Sequence, residues 1–350
     1  MTRRSTIKDV ARAANVSMVT VSRVLNAPEL VQAQTRERVL SAMRALGYSP
    51  NVAARAMRTN YTRTIGFLTP ELTSPTNAAV AQAAEQALAE AGYAMLVTSS
   101  NYHAEREIAA LDLLRNRRVD GIILYASDEN DGTLVQAMAQ SDVPLVLLDR
   151  TLPVAADLVL SDHGVAMVEA LRYLAGLGHE RLALIQHDLR VRPALERLRA
   201  FQEGVAAAGL PPGRVVQVSR RSITSTTLPQ DLFVGTKAPT ALIVEGTRLL
   251  RAALQGFRAQ GLGVPKDRSI IGIDTLEASG LTTPETTSIV RDFSLIGRTA
   301  AEFMVRRLAD RDLPQQRVVL ESQILLKGSC AAPSYRATLT GPIQRKKGHP

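Results

Sequence analysis

The sequence has one cysteine, Cys330, and no tryptophan, and its aromatic side chains are 7 tyrosines and 6 phenylalanines. A lone thiol forms no internal disulfide and no metal cluster by itself, which agrees with a reducing compartment. So few rings make base stacking on aromatic platforms a poor basis for any nucleic-acid contact. No apolar run approaches the ~18 residues of a membrane span, and the amino terminus has no apolar core followed by a small-residue cleavage site; a cytoplasmic location is expected. G-x-G-x-x-G, P-loop, H-E-x-x-H and C-x-x-C patterns are missing. Ser5-Thr6-Ile7-Lys8 fits S-x-x-K but lacks the partner motifs. The five histidines are scattered. These absences predict no catalytic residue, no metal site and no cofactor.

What is present is 350 residues, 45% apolar and 21% charged, enough for one or two globular domains. The net charge of +9 is unevenly placed. Residues 1–60 carry ten basic residues (Arg3, Arg4, Lys8, Arg12, Arg23, Arg36, Arg38, Arg44, Arg55, Arg58) against Asp9, Glu29 and Glu37. The last fifteen residues add Arg336, Arg345, Lys346 and Lys347 without an acid, so the stretch between is nearly neutral. A basic head on a neutral body suggests a polyanion-binding module joined to a separate domain.

The head reads as three short helices. Ser5 and Thr6 can cap the first, in which Ile7, Val10, Ala11 and Ala14 repeat with helical spacing. After Asn15-Val16, Ser17 is a natural cap for the second, with Val16 and Val21 placed as a hydrophobic staple. Val21, Val24 and Leu25 then face inward, leaving Met18, Val19, Ser22, Arg23 and Asn26 along an exposed stripe. Met and Val gain nothing from water there, but they suit thymine methyls, and Arg23 suits the O6/N7 pair of guanine. A third helix near 34–46 covers the first two with Val39, Leu40, Met43 and Leu46 and stops at Gly47. Together they describe a helix-turn-helix. Beyond it, Ser49 and Pro50 open an Ala-rich segment, Asn51 to Arg58, too short for a stable isolated helix. It is a candidate order–disorder switch between head and body.

The runs Thr6-Ile7-Lys8-Asp9-Val10-Ala11, Val16 through Asn26, Thr35-Arg36-Glu37-Arg38-Val39 and Gly47-Tyr48-Ser49-Pro50-Asn51 closely resemble the head of LacI/GalR-family transcription regulators. The resemblance implies a recognition helix starting at Ser17, with Met18, Val19 and Arg23 at base-reading positions and Ser17, Thr20, Ser22, Asn26 and Thr35 near phosphates. It also implies a hinge helix, with Asn51, Ala54 and Arg55, that enters the minor groove. Relatives wedge a leucine into the central base step there; this chain has Met57, apolar and flexible enough to wedge.

From Tyr61 onward, short apolar runs (Ile65 to Leu68, Met95 to Val97, Gly121 to Tyr125, Leu145 to Leu148, Leu182 to Ile185, Ala241 to Val244, Ile270 to Ile273) alternate with helical patterns such as Ala78 to Ala91 and Glu105 to Arg115. This predicts parallel sheets covered by helices on both faces. Ser161-Asp162-His163-Gly164 reads as a crossing point between two similar halves. Ligands of such sheets bind outside the carboxyl ends of strands, where Glu71, Ser99, Asp149, His187, Glu245 and Asp274 fall. On residues alone, an open α/β enzyme or a solute-binding protein acting on a small polar ligand remains an alternative.

The resemblance continues to about Ser334 through Asp149-Arg150, Gly178-His179, Arg197 with Phe201, Gly272-Ile273-Asp274, Asp292-Phe293 and Gly297. It implies a helix-turn-helix head (1–48), a hinge and linker (49–61) and a two-lobed α/β effector and dimerisation domain (62–335) like the periplasmic sugar-binding proteins. Lobe 1 would span about 62–161 and 293–321, lobe 2 about 162–292 and 322–335, with a disordered basic tail at 336–350. The implied effector site comprises Glu71, Thr76, Asn77, Asp149, Arg197, Glu245, Asp274 and Phe293, with Arg197 and Asp274 as opposed clamps. Two departures affect it: Ser74-Pro75-Thr76-Asn77 replaces the usual aromatic pair, and Glu245-Gly246-Thr247 replaces Asn-Asp. They predict a pocket more acidic and less aromatic than in relatives, without the stacking surface that would identify a particular sugar; the expected effector is a small molecule of the sugar or sugar-acid kind. The implied whole is an allosteric repressor that binds a pseudo-palindromic double-stranded operator. It should be a homodimer, since the tail has no leucine heptads for a four-chain bundle.

Overall fold

The computed structural model describes residues 5–48, 61–220, 228–275 and 280–334, in two units that divide between Thr62 and Arg63. The hinge residues Asn51, Ala54, Arg55 and Met57, the tail 336–350 and the side chain of Asn26 lie outside the described residues.

In the first unit, α1 (Ile7–Ala13) starts where the Asp9 carboxylate accepts the Thr6 N–H at 2.9 Å and its hydroxyl at 2.7 Å. Asn15, in the left-handed region at φ +51°, turns the chain into α2 (Met18–Asn26); asparagine tolerates that conformation better than most residues. Ser17 caps α2, its Oγ accepting the Thr20 N–H at 3.1 Å. α3 (Ala33–Ala45) crosses both. Val10, Ala11, Ala14, Val21, Val24, Val39 and Ala42 are the buried core, with Leu25, Leu40 and Met43 partly buried against it. Leu46, predicted to help cover that core, is exposed instead, because α3 ends at Ala45 and Leu46 becomes its C-cap.

The second unit contains two six-stranded sheets. The first is entirely parallel, in the order β11-β5-β4-β3-β1-β2, from β1 (Thr64–Thr69), β2 (Ala94–Ser99), β3 (Gly121–Leu124), β4 (Leu145–Leu148), β5 (Asp157–Ser161) and β11 (Arg317–Leu320). The second repeats that order as β12-β10-β9-β8-β6-β7, from β6 (Leu182–His187), β7 (Arg214–Val218), β8 (Ala241–Glu245), β9 (Ser269–Ile273), β10 (Thr287–Arg291) and β12 (Ser322–Leu325). Only β12 runs antiparallel. The chain crosses between sheets after Ser161, after Arg291 and again between Leu320 and Ser322.

Helices cover both faces of each sheet. On the first, α5 (Ala104–Asn116) and α6 (Gly132–Ala139) pack one side, and α4 (Pro75–Glu90) and α10 (Phe293–Ala309) the other. On the second, α7 (Val165–Gly176) and α8 (Arg192–Ala207) oppose α9 (Gly246–Ala259). The inner strands β1, β3, β4, β5, β6, β8 and β9 read as near-continuous apolar runs because both their faces are buried. Gly297 sets the close approach of α10 to α4: a Cβ there would run into the Val80 carbonyl oxygen and lie 2.8 Å from the Ala84 nitrogen. The fold class is therefore an all-α helix-turn-helix head and an α/β domain of two parallel-sheet lobes.

Candidate functional site

The head presents one unusual surface. Met18 and Val19 are 46% and 61% exposed at the start of α2, with Arg23 exposed and Ser22 half-buried a turn later. Met18, Val19 and Arg23 are the residues predicted to read bases, and Ser22 is predicted to lie near a phosphate. Ser17 and Thr20 adjoin them through an Oγ–Oγ1 contact of 2.9 Å, and Thr35 lies in the first turn of α3, within 3.4 Å of Arg38 Nη2. The apolar stripe is thus kept outside although the same helix buries Val21 and Val24 on its other side.

The second site lies at the carboxyl ends of the strands. Asp149 follows β4 and Asp274 follows β9, equivalent strands of the two sheets, and both sit in the left-handed region, at φ +52° and +55°. Each donates its N–H to the neighbouring strand, Asp149 to Val159 O and Asp274 to Ile289 O, both at 2.9 Å. The repeated turn aims two carboxylates at one guanidinium, and such backbone outliers gather at functional sites. Arg291, at the end of β10, donates Nε and Nη2 to Asp274 (3.1 and 2.6 Å) and Nη1 to Asp149 (2.5 Å), and stands over the Phe293 ring at 5.3 Å. Asp149 also accepts the Ser161 N–H at 2.6 Å. Burial would raise its pKa, but Arg291, His163 and Arg150 hold it well below the usual carboxylate range.

Arg197 and Asp274 do not face each other as bare clamps. Arg197 donates Nη2 to Glu245 at 2.8 Å, while Asp274 is taken by Arg291. Glu245 also accepts the His187 N–H at 2.7 Å; burial opposes its ionisation, yet Arg197 and His187 bring its pKa down to about 2. His163 joins the two clusters, 3.5 Å from Arg197 Nη1 through Nδ1 and 3.5 Å from Asp149 through Nε2. Burial pushes its pKa down to about 4, so it is neutral at physiological pH.

Glu71, after β1, is bridged by two arginines of the other lobe, Arg220 Nη2 at 2.8 Å and Arg248 Nη2 at 2.9 Å. Asn77 Nδ2 donates to the Glu71 carbonyl oxygen at 3.1 Å, whereas Thr76 pairs with Ser74 rather than with the charged network. Glu129 reaches across as well, accepting the Arg192 N–H and, at 2.6 Å, the Thr151 N–H.

The prediction of an acidic pocket is therefore corrected. Arg220, Arg248 and Arg291 neutralise Glu71, Asp149 and Asp274, and Arg197 neutralises Glu245. Of these arginines only Arg197 stands out in the sequence; the others follow strands or open a helix without a motif. Tyr102 and Glu107 carry no sequence signal, while Tyr125 and His163 stand out only as the end of an apolar run and as part of the crossing point; the meaning of all four polar groups depends on tertiary neighbours.

Glu107 on α5 is fully buried and accepts the Ser127 N–H at 3.0 and 3.2 Å. Burial outweighs that bond and the Arg150 charge and raises its pKa to about 7. The unfolded chain releases this proton near pH 4.3 while the folded chain keeps it to about 7, so stability falls as pH rises across that window, by up to about 4 kcal/mol, and is level above it. Urea unfolding of Glu107→Gln at pH 5 and pH 8 should lack this slope; equal slopes in variant and parent would contradict the assignment.

Residues 6–51 match the family model described as bacterial regulatory proteins, lacI family, and residues 171–330 match the periplasmic binding protein-like domain. The HTH-type transcriptional regulator DegA of Bacillus subtilis (strain 168) is 28% identical over 330 residues, covering 93% of this chain and 98% of the relative. The HTH-type transcriptional repressor PurR of Aliivibrio fischeri (strain MJ11) is 29% identical over 335 residues, with the same coverage. The lac repressor dimer solved with operator and the anti-inducer ONPF superposes with a TM-score of 0.80 at 26% identity, over 94% of this chain and 100% of that one. With relatives matched along nearly their full length, the chain joins a LacI-family helix-turn-helix domain to a periplasmic-binding-protein-like domain and is a DNA-binding transcriptional regulator with an effector-binding domain.

Proposed function

We propose that the chain is a cytoplasmic, non-enzymatic repressor that binds a pseudo-palindromic operator as a homodimer and changes its operator affinity when a small molecule enters the cleft between the two lobes. Met18 and Val19 pack on thymine methyls and Arg23 forks a guanine. Ser17, Thr20, Ser22, Asn26 and Thr35 hold the neighbouring phosphates. Asn51, Ala54, Arg55 and Met57 enter the minor groove, Met57 as the wedge. Two copies set two heads over successive half-sites. In the body, Asp149, Arg197, Glu245 and Asp274 form the floor of the effector site, with Glu71, Thr76, Asn77 and Phe293 at its rim.

The observation that carries this reading is the exposure of Met18 and Val19 beside Arg23 on a helix whose opposite face is buried. Coupling of about 1–3 kcal/mol between effector and DNA changes operator affinity about 5- to 150-fold. Arg23→Ala should cost about 1–3 kcal/mol and relax preference at one base position. Fluorescence anisotropy on a panel of single-base operator variants measures this. Equal weakening on every sequence would assign Arg23 to phosphate instead.

A further inference from the structure

The cleft is dominated by guanidinium groups placed on aromatic faces. Arg150 stands over Tyr125 at 5.9 Å, Arg220 over Tyr102 at 4.8 Å and Arg291 over Phe293 at 5.3 Å. A sugar ring stacks its C–H face on an open aromatic ring; here an arginine occupies each of those three faces. A stacked guanidinium keeps its N–H edge directed sideways, the geometry that forks carboxylates and phosphates.

Among the described residues, two of the cleft's donors lack an acceptor: the buried Nε groups of Arg197 and Arg220. Arg220 is held by Glu71, a carboxylate from the opposite lobe. The acids differ in how firmly they are fixed. Asp149 and Glu245 each accept a main-chain N–H, from Ser161 and His187, and Asp274 receives a two-bonded fork from Arg291. Glu71 is held by Arg220, Arg248 and the Thr73 hydroxyl, on a turn whose Leu72 and Thr73 are exposed. It is the carboxylate most easily exchanged.

Resting on the effector-cleft reading above, we infer that the effector bears a carboxylate or phosphate, and that Glu71 is an internal stand-in displaced from between Arg220 and Arg248 when that anion binds. The exchange trades a bridge between the lobes for a bond to ligand, so anion binding and release of the Glu71 latch are one event.

The test uses the full chain without DNA, titrated at fixed ionic strength with inorganic phosphate and, separately, with acetate, following thermal unfolding and isothermal heat. Glu71→Gln frees both arginines and should bind at least one of these anions about tenfold or more tighter than the parent, as expected for removing a charge-assisted competitor. A gain for acetate alone assigns a carboxylate and for phosphate alone a phosphate ester. Adding Arg248→Gln to this variant should erase the gain, and Arg248→Gln alone, at the more exposed rim, should bind phosphate more weakly than the parent if Glu71→Gln does not fold. Unchanged affinity for both anions in Glu71→Gln, or a gain that survives Arg248→Gln, would overturn the inference. Since DNA is absent, failure here is distinct from failure of the operator-binding reading, which operator selection tests.

Discussion

Replacing Arg291 by leucine is expected to destabilise the protein by about 3–5 kcal/mol, because it strands the buried Asp149 carboxylate together with that of the partly buried Asp274. Asp149 and Asp274 lie at equivalent strand ends of the two sheets and meet on this one guanidinium, at 2.5 and 2.6 Å. Each sits in a left-handed turn pinned by a main-chain bond to the next strand, so the backbone holds both carboxylates at this point in the fold. Lysine preserves the charge but not the fork, so Arg291→Lys should fall between leucine and parent. The loss should shrink toward pH 4, because Arg291 is the leading charge that holds Asp149 below the usual carboxylate range, and without it Asp149 takes up a proton in the folded variant. Urea unfolding at pH 7 and pH 4 measures both effects; a loss under about 1 kcal/mol at pH 7 would mean that the pair is solvated rather than buried.

Operator affinity should fall about 10³- to 10⁵-fold between 50 and 200 mM salt if the dimer neutralises six to ten phosphates. The source of this dependence is the head, whose first sixty residues carry ten basic side chains against three acids. Non-specific duplex should show a similar salt slope at much weaker affinity, because phosphate contacts are blind to sequence. A flat salt response would contradict phosphate binding by the head, whatever the sequence preference.

The fold class was legible because its signals are local. The seven apolar runs named from the sequence all coincide with strands, and the head's helices follow caps at Thr6 and Ser17. Strands β5, β7, β10, β11 and β12 escaped notice. β7 (Arg-Val-Val-Gln-Val) and β11 (Arg-Val-Val-Leu) mix charge with short apolar stretches at or beside a sheet edge, and β10 begins Thr-Ser and ends in Arg291. Such strands are specified by their neighbours more than by their own pattern.

The candidate cleft was half legible. Asp149, Glu245 and Asp274 could be found because each follows an apolar run at a strand end, where ligands of α/β sheets collect. Their partners could not. Arg220 lies 149 residues from Glu71 and Arg291 lies 142 from Asp149, so the pairings that cancel the pocket's expected negative charge exist only once both sheets are built. Glu245 shows the consequence: taken alone it predicts an acidic pocket, while beside Arg197 it is one half of a neutral pair.

The most direct measurement is selection by the purified full-length chain from a randomised duplex library, run in parallel with a Met18→Ser, Val19→Ser variant. These two side chains are exposed on α2 and absent from the buried core of the head, so the variant should fold like the parent. The parent should enrich a two-fold-related motif, and the variant should lose preference at the thymine-bearing positions while keeping its salt-sensitive binding. If the parent enriches no motif, or the variant enriches the same motif with the same strength, the apolar flank of α2 does not read DNA.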